Sequence, residues 1–284
     1  MLAVEAKAKT AYSLIRHLAG ALWLDHDPAR CWMTMFTAYY DASGQQSDQK
    51  GALVVAGVVA TEDKHLEFGA AWRGVLNDFS VPYLHMKEFA HSVGAFAEWK
   101  GDESRRASFL ASLVGVMKRT LNKTFSVWLP LAEFKALTQQ YSFPGPLKKP
   151  FVFCASNCSG RVERWIAKQY PGQPVAHVFE AGDFGLGEFL NAAPHLRQGS
   201  VTAVPKADPG SGNRLCQFEA ADFLAWEGHD IYTDALAGQR VNLRASFQQV
   251  RKHLPHDGQV FTKDGLTRMC REHPEIYPPR TVAH

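Results

Sequence analysis

The run Ala52-Leu53-Val54-Val55-Ala56-Gly57-Val58-Val59-Ala60 constrains this chain more than any other stretch. It holds no polar side chain and is rich in β-branched valine. A strand with one wet face alternates polar and apolar residues, whereas a strand buried on both faces does not. The run therefore predicts a strand inside a sheet covered by helices. A second strand is expected at 35–40, joined to the first by a hairpin loop through Ala42-Ser43-Gly44 and the polar stretch up to Gly51.

The rest of the chain supplies both the helices and further strands. Helical spacing or punctuation predicts helices from Thr61 to about Phe79, Ser104–Leu121, Phe151–Tyr170, Leu215 to about Tyr232, and Leu243–His253. Strands are expected at 124–129, 175–180 and 200–204, while 91–103 reads as irregular. Interleaved strands and helices make an α/β domain, expected over residues 33–254. Residues 1–32 read as an N-terminal helical extension, its pattern carried by Leu14, Ile15, Leu18 and Leu22, with Met33 or Met35 a conceivable start of the functional protein. The Pro-containing stretch 255–284 reads as a loosely packed C-terminal tail.

Bulk properties narrow the partners. The chain has 284 residues, enough to bury a sizeable core. Its net charge of +3 fits nucleic acid as a partner without demanding it. The odd count of five cysteines, irregularly spaced, argues against a disulfide framework and for reduced thiols in a cytoplasm. Cys154 and Cys158 share a helix face but lack a partner pair for zinc, so they read as small buried apolar residues. No window is long and apolar enough to span a bilayer, and the start lacks a secretory layout.

Against this background the acidic residues stand out. Asp41 follows one apolar strand-like run; Glu180 ends another, with Asp183 close behind. Leu215, Phe218, Asp222 and Trp226 fall within one helical arc of roughly 80°, which puts Asp222 on the oily side of its helix. Glu219 lies near that arc and reads as its rim. Glu88 closes His85-Met86-Lys87-Glu88, a spacing that brings His85 and Glu88 together. Singly, each has an ordinary explanation: Asp41 starting a turn with Ser43 and Gly44, Asp222 capping or meeting one basic side chain, Glu88 in an exposed polar turn. As a set they predict convergence. Two carboxylates 4 Å apart repel by about 4 kcal/mol at an effective dielectric near 20, so several together bind protons or cations. Oxygen-only ligation favours Mg²⁺ or Mn²⁺ over zinc.

The motifs Tyr40-Asp41-Ala42-Ser43-Gly44, His85-Met86-Lys87-Glu88, Phe179-Glu180-Ala181-Gly182-Asp183 and Gln217-Phe218-Glu219-Ala220-Ala221-Asp222 occur in an order that resembles the prokaryotic and phage domain of unknown function 3800 family, placed in the ribonuclease H-like superfamily. The resemblance spans about residues 35–250. It differs in carrying Ala42 where the family usually has Glu, and in one extra residue before the final Ala-Asp. It implies a ribonuclease H-like mixed β-sheet flanked by helices.

A metal-dependent nuclease or phosphodiesterase is the expected activity. Asp41 would bridge two Mg²⁺ ions about 4 Å apart, with Glu88, Glu180 or Asp183, and Asp222 completing the cage. His85 or Lys87 would steer water or neutralise phosphate. Lys148 and Lys149 would touch nucleic acid. The alternative, favoured by Ala42, is a degenerate relative that binds nucleic acid or protein without cutting.

Overall fold

A computed structural model describes residues 36–44, 51–183, 185–196, 200–207, 214–239 and 245–280. The N-terminal extension of residues 1–32 lies outside the described residues. Among the described residues, six strands form one mixed sheet: β1 (Phe36–Ser43), β2 (Ala52–Thr61), β3 (Lys123–Pro130), β4 (Val175–Glu180), β5 (Ser200–Val204) and β6 (His256–Val260), in the order β5-β4-β1-β2-β3-β6. β2 pairs antiparallel with β1 and β3; the β1–β4, β4–β5 and β3–β6 pairs are parallel. β2 thus runs against the other five. This is the expected mixed sheet flanked by helices.

The helices are α1 (Glu62–Asp78), α2 (Met86–His91), α3 (Glu103–Thr120), α4 (Leu131–Gln140), α5 (Pro150–Gln169), α6 (Leu186–Leu196), α7 (Cys216–Leu236), α8 (Ala245–His253) and α9 (Lys263–Glu272). One core unites α1, α2, α3, α7 and α8 with one sheet face; the other unites α4, α5, α6 and α9 with the opposite face. β2 shows why its sequence lacks alternation. Val54, Ala56, Val58 and Ala60 enter the first core, and Leu53, Val55 and Val59 enter the second. Both faces are oil-covered, so neither tolerates a polar side chain.

α7 lies close across the sheet because its inner side is small. Ala220, Ala221 and Ala225 are fully buried. A Cβ on Gly228 would come within 3.1 Å of the Trp128 ring and 3.2 Å of Val54. That close approach lowers the polar residues of α7 onto the strand ends.

Two expectations need correction. The segment after residue 254 is not loosely held. β6 pairs with β3, and Leu266 and Cys270 are almost wholly buried. Prolines at 274, 278 and 279 lie beyond α9, so they punctuate a packed element without loosening it. Strand β1 also runs through Asp41 to Ser43, with Asp41 opposite Ala56. Asp41 is therefore a ladder residue and does not start a turn. Helices α4 and α6 were not anticipated, nor was the short 3₁₀ turn Gly94–Trp99 inside the stretch read as irregular.

Candidate metal centre

Parallel pairing sets the geometry of the site. β5, β4 and β1 run side by side in one direction, so their C-terminal ends meet at one edge. Asp41 and Glu180 each stand one residue beyond the Tyr40–Phe179 pair, and therefore lie abreast. Side chains alternate along a strand. Tyr39 and Val178 enter the core under α7, so Asp41 and Glu180, two residues on, turn the same way. Asp222 descends to meet them from α7, where only 8% of it is exposed; Asp41 is 6% exposed.

A residue that the sequence reading did not single out sits among them. The Nζ of Lys206 lies 3.1 Å from Asp41 Oδ2, 2.9 Å from Glu180 Oε2 and 3.9 Å from Asp222 Oδ2. Lys206 follows β5 by two residues, and Leu215 N donates to its carbonyl at 2.9 Å. Asp41 Oδ1 accepts from Ala42 N at 2.7 Å, and Asp222 Oδ2 also accepts from Met86 N at 2.9 Å. Asp183 adds a fourth carboxylate. Its Oδ2 is buried with no hydrogen-bond partner among the described residues.

The charge in this pocket is unbalanced. Burial raises the Asp41 carboxyl well above the usual carboxylate range; Lys206 opposes the shift, and Asp222, Glu180 and Asp183 reinforce it. Burial also raises Asp222, against the pull of Lys206 and the Met86 amide. Burial and Glu180 push Asp183 up to about 7. For Lys206, burial acts downward, but Asp41, Asp222 and Glu180 outweigh it, so the net shift is upward. The ammonium stays charged, and the acids compete for it. One ammonium does not neutralise four carboxylates, so the pocket holds protons or takes up a further cation. The donor set is all oxygen, which suits a hard divalent ion. An unpartnered buried Asp183 oxygen fits the same need. Among the described residues, no three acidic, His or Cys side chains stand arranged as a ready ligand shell.

Glu88 is placed differently. One oxygen faces His85 Nδ1 at 3.2 Å; the other accepts from Tyr83 Oη at 3.0 Å and from Ala95 N at 3.3 Å. Burial would raise its pKa, yet the bonds from His85, Tyr83 and Ala95 leave it lowered. Both its oxygens are occupied, and it makes no ion pair with Lys206. The structure therefore brings Asp41, Glu180, Asp183 and Asp222 together and leaves Glu88 in a neighbouring cluster with His85. The two clusters adjoin through Met86, whose amide grips Asp222. Glu219 is not a rim residue: it is 1% exposed and holds Trp72 and Leu84 in the core.

No family model matches the chain, and no curated protein does. Among solved structures, a crystal structure of a mutant Bst-RNase HIII is similar at 14% identity and a TM-score of 0.42, covering 80% of this chain and 67% of that one. A crystal structure of Bst-RNase HIII in complex with Mn²⁺ is similar at 13% identity and a TM-score of 0.40, over the same shares. Likeness this distant transfers no chemistry. The description of the fold rests on this chain's own strand order and directions.

The basic residues expected to touch nucleic acid are scattered. Lys87 is exposed on α2, two residues from His85. Lys148 is exposed in the 3₁₀ turn Gly145–Lys148, and Lys149 is ion-paired with Glu188 of α6. That turn packs with the second core, across the sheet from α7. Cys154, Cys158, Cys216 and Cys270 are free and buried. Among the described residues, no helix is long and apolar enough to cross a membrane.

Proposed function

We propose that this chain is a divalent-metal-dependent nuclease or phosphodiesterase that hydrolyses nucleic-acid phosphodiesters, a relative of the domain of unknown function 3800 family working in a reducing cytoplasm. One observation carries the reading: acids from two strand ends and α7 gather on Lys206, and Asp183 in the turn after β4 adds negative charge that this one ammonium does not balance. Asp41, Glu180, Asp183 and Asp222 would hold Mg²⁺ or Mn²⁺. When bound, such an ion supplies Lewis-acid activation of water and of the phosphoryl group. The chain's residues do the rest. Met86 N fixes the Asp222 carboxylate, and Ala42 N fixes Asp41. Glu88 orients His85, leaving its Nε2 free of that bond to take or give a proton near the phosphate. Lys87 and Lys148 offer exposed charge to the nucleic-acid backbone; Lys149, already paired, offers less.

The test is cleavage of DNA and RNA substrates with Mg²⁺ or Mn²⁺. Asp41→Asn and Asp222→Asn should each abolish it while circular dichroism stays unchanged; undiminished cleavage by either variant would end the proposal. A second reading, a degenerate module that binds without cutting, draws support from Ala42 and from Lys206 already standing among the acids. Mn²⁺ raising the melting temperature of the wild type but not of Asp41→Asn separates the two, because only a ligand that binds the folded state stabilises it.

A further inference from the structure

We infer that Lys206 takes the place of a second cation, so that this centre accepts one divalent ion and not two. The inference rests on the metal-dependent reading above and adds a stoichiometry to it. Lys206 Nζ lies within 4 Å of one oxygen each from Asp41, Glu180 and Asp222. A metal ion bridging those same oxygens would have to occupy the point where the ammonium stands, and the two charges would repel.

Lys206 is not a surface lysine that can simply swing out. Its side chain is 13% exposed. Its backbone is clamped where the chain turns from β5 into α7, by the Leu215 N to Lys206 O bond and by the bridge between Ala207 and Arg214. Leaving the pocket would strip the ammonium of all three carboxylates at once.

Asp183 is the acid of the set that the ammonium does not pair. Lys206 makes no ion pair with Asp183, and the buried Asp183 Oδ2 has no hydrogen-bond partner among the described residues. Glu180, which pairs with Lys206, stands at the end of β4, three residues before Asp183. A divalent ion held there would share Glu180 with the ammonium and draw on the Asp41 and Asp222 oxygens that Lys206 does not approach. With four carboxylates, one ammonium and one divalent ion, a single negative charge is left over. In catalysis the ammonium would stabilise charge on the phosphoryl or departing oxygen, the role that a second ion has in two-metal sites.

Calorimetric titration of the full chain with Mn²⁺, checked by counting bound Mn²⁺ by electron paramagnetic resonance, tests this without any substrate. One Mn²⁺ per wild-type chain is expected. Lys206→Met, which removes the charge and keeps the bulk, should bind two, and Lys206→Arg should return to one. Two ions in the wild type overturn the inference without any variant, and leave the metal-dependent reading standing. One ion in a folded Lys206→Met also overturns it. No Mn²⁺ bound by the wild type defeats the metal-dependent reading itself.

Discussion

Glu219 and Asp222 stand three residues apart on α7, and both are buried, yet their surroundings are opposite in kind. Glu219 has donors of its own: Trp72 Nε1 at 2.8 Å, Leu84 N at 3.0 Å and Arg214 Nε at 3.1 Å. Asp222 has one amide, Met86 N, and a share of a lysine that two other acids approach more closely. The short segment Leu84–Met86 grips both carboxylates through alternate amides. One carboxylate is consumed in holding the fold. The other belongs to a pocket with too few positive charges. Burial alone does not distinguish a structural acid from a functional one; the tally of donors does.

The comparison can be broken in graded steps. The largest effect is expected from Asp41→Asn and Asp222→Asn, each lowering metal-dependent cleavage by about a thousandfold or more, roughly 4 kcal/mol in the barrier. Chemical denaturation of either variant should show no loss of stability, because a surplus buried charge has gone. Glu219→Ala should behave the opposite way. It strands Arg214 and two buried donors, so unfolding titrations should report a loss of about 3 kcal/mol or more. A Glu219→Ala protein as stable as the wild type would erase the distinction.

A smaller effect follows from Asp183. Its carboxyl titrates near pH 7 in the folded protein and at its ordinary value, 3.8, when unfolded. Between those values the folded state holds the extra proton, so stability is highest at low pH and declines as pH rises towards 7. Metal-free protein should therefore melt a few degrees lower at pH 7.5 than at pH 5 on account of this group. Asp183→Asn should flatten that slope, and saturating Mn²⁺ should offset the decline. A melting temperature that climbs over this range in the wild type and is unaltered by Asp183→Asn would count against the crowded pocket.

The smallest effect belongs to the surface. Lys149→Ala breaks an ion pair whose partners are both 43% exposed, so the stability change should stay within about 1 kcal/mol. Lys87→Ala should lower the salt dependence of nucleic-acid binding by about one phosphate contact, without changing the melting temperature. An unchanged salt slope removes Lys87 from the interface.

Much of this molecule was legible residue by residue. The unbroken apolar run at 52–60 announced a strand covered on both sides, because a side chain's polarity reports whether its own surroundings are wet. Asp222 on an oily helix arc announced a buried charge for the same reason. The ordered motifs implied the mixed sheet. What could not be read was pairing over distance. Nothing local marks Lys206, a single lysine after a short strand, as the neighbour of acids 165 and 26 positions away along the chain. Nor does the His-x-x-Glu spacing tell whether Glu88 will reach the cluster or turn to Tyr83. The C-terminal prolines suggested looseness, yet β6 closes one edge of the sheet. Amino-acid order records each residue's preference for oil or water and for turn or helix. The parallel alignment of β5, β4 and β1, with α7 laid across them, chose the partners, because a pocket is built from strand ends that meet only after the sheet has formed.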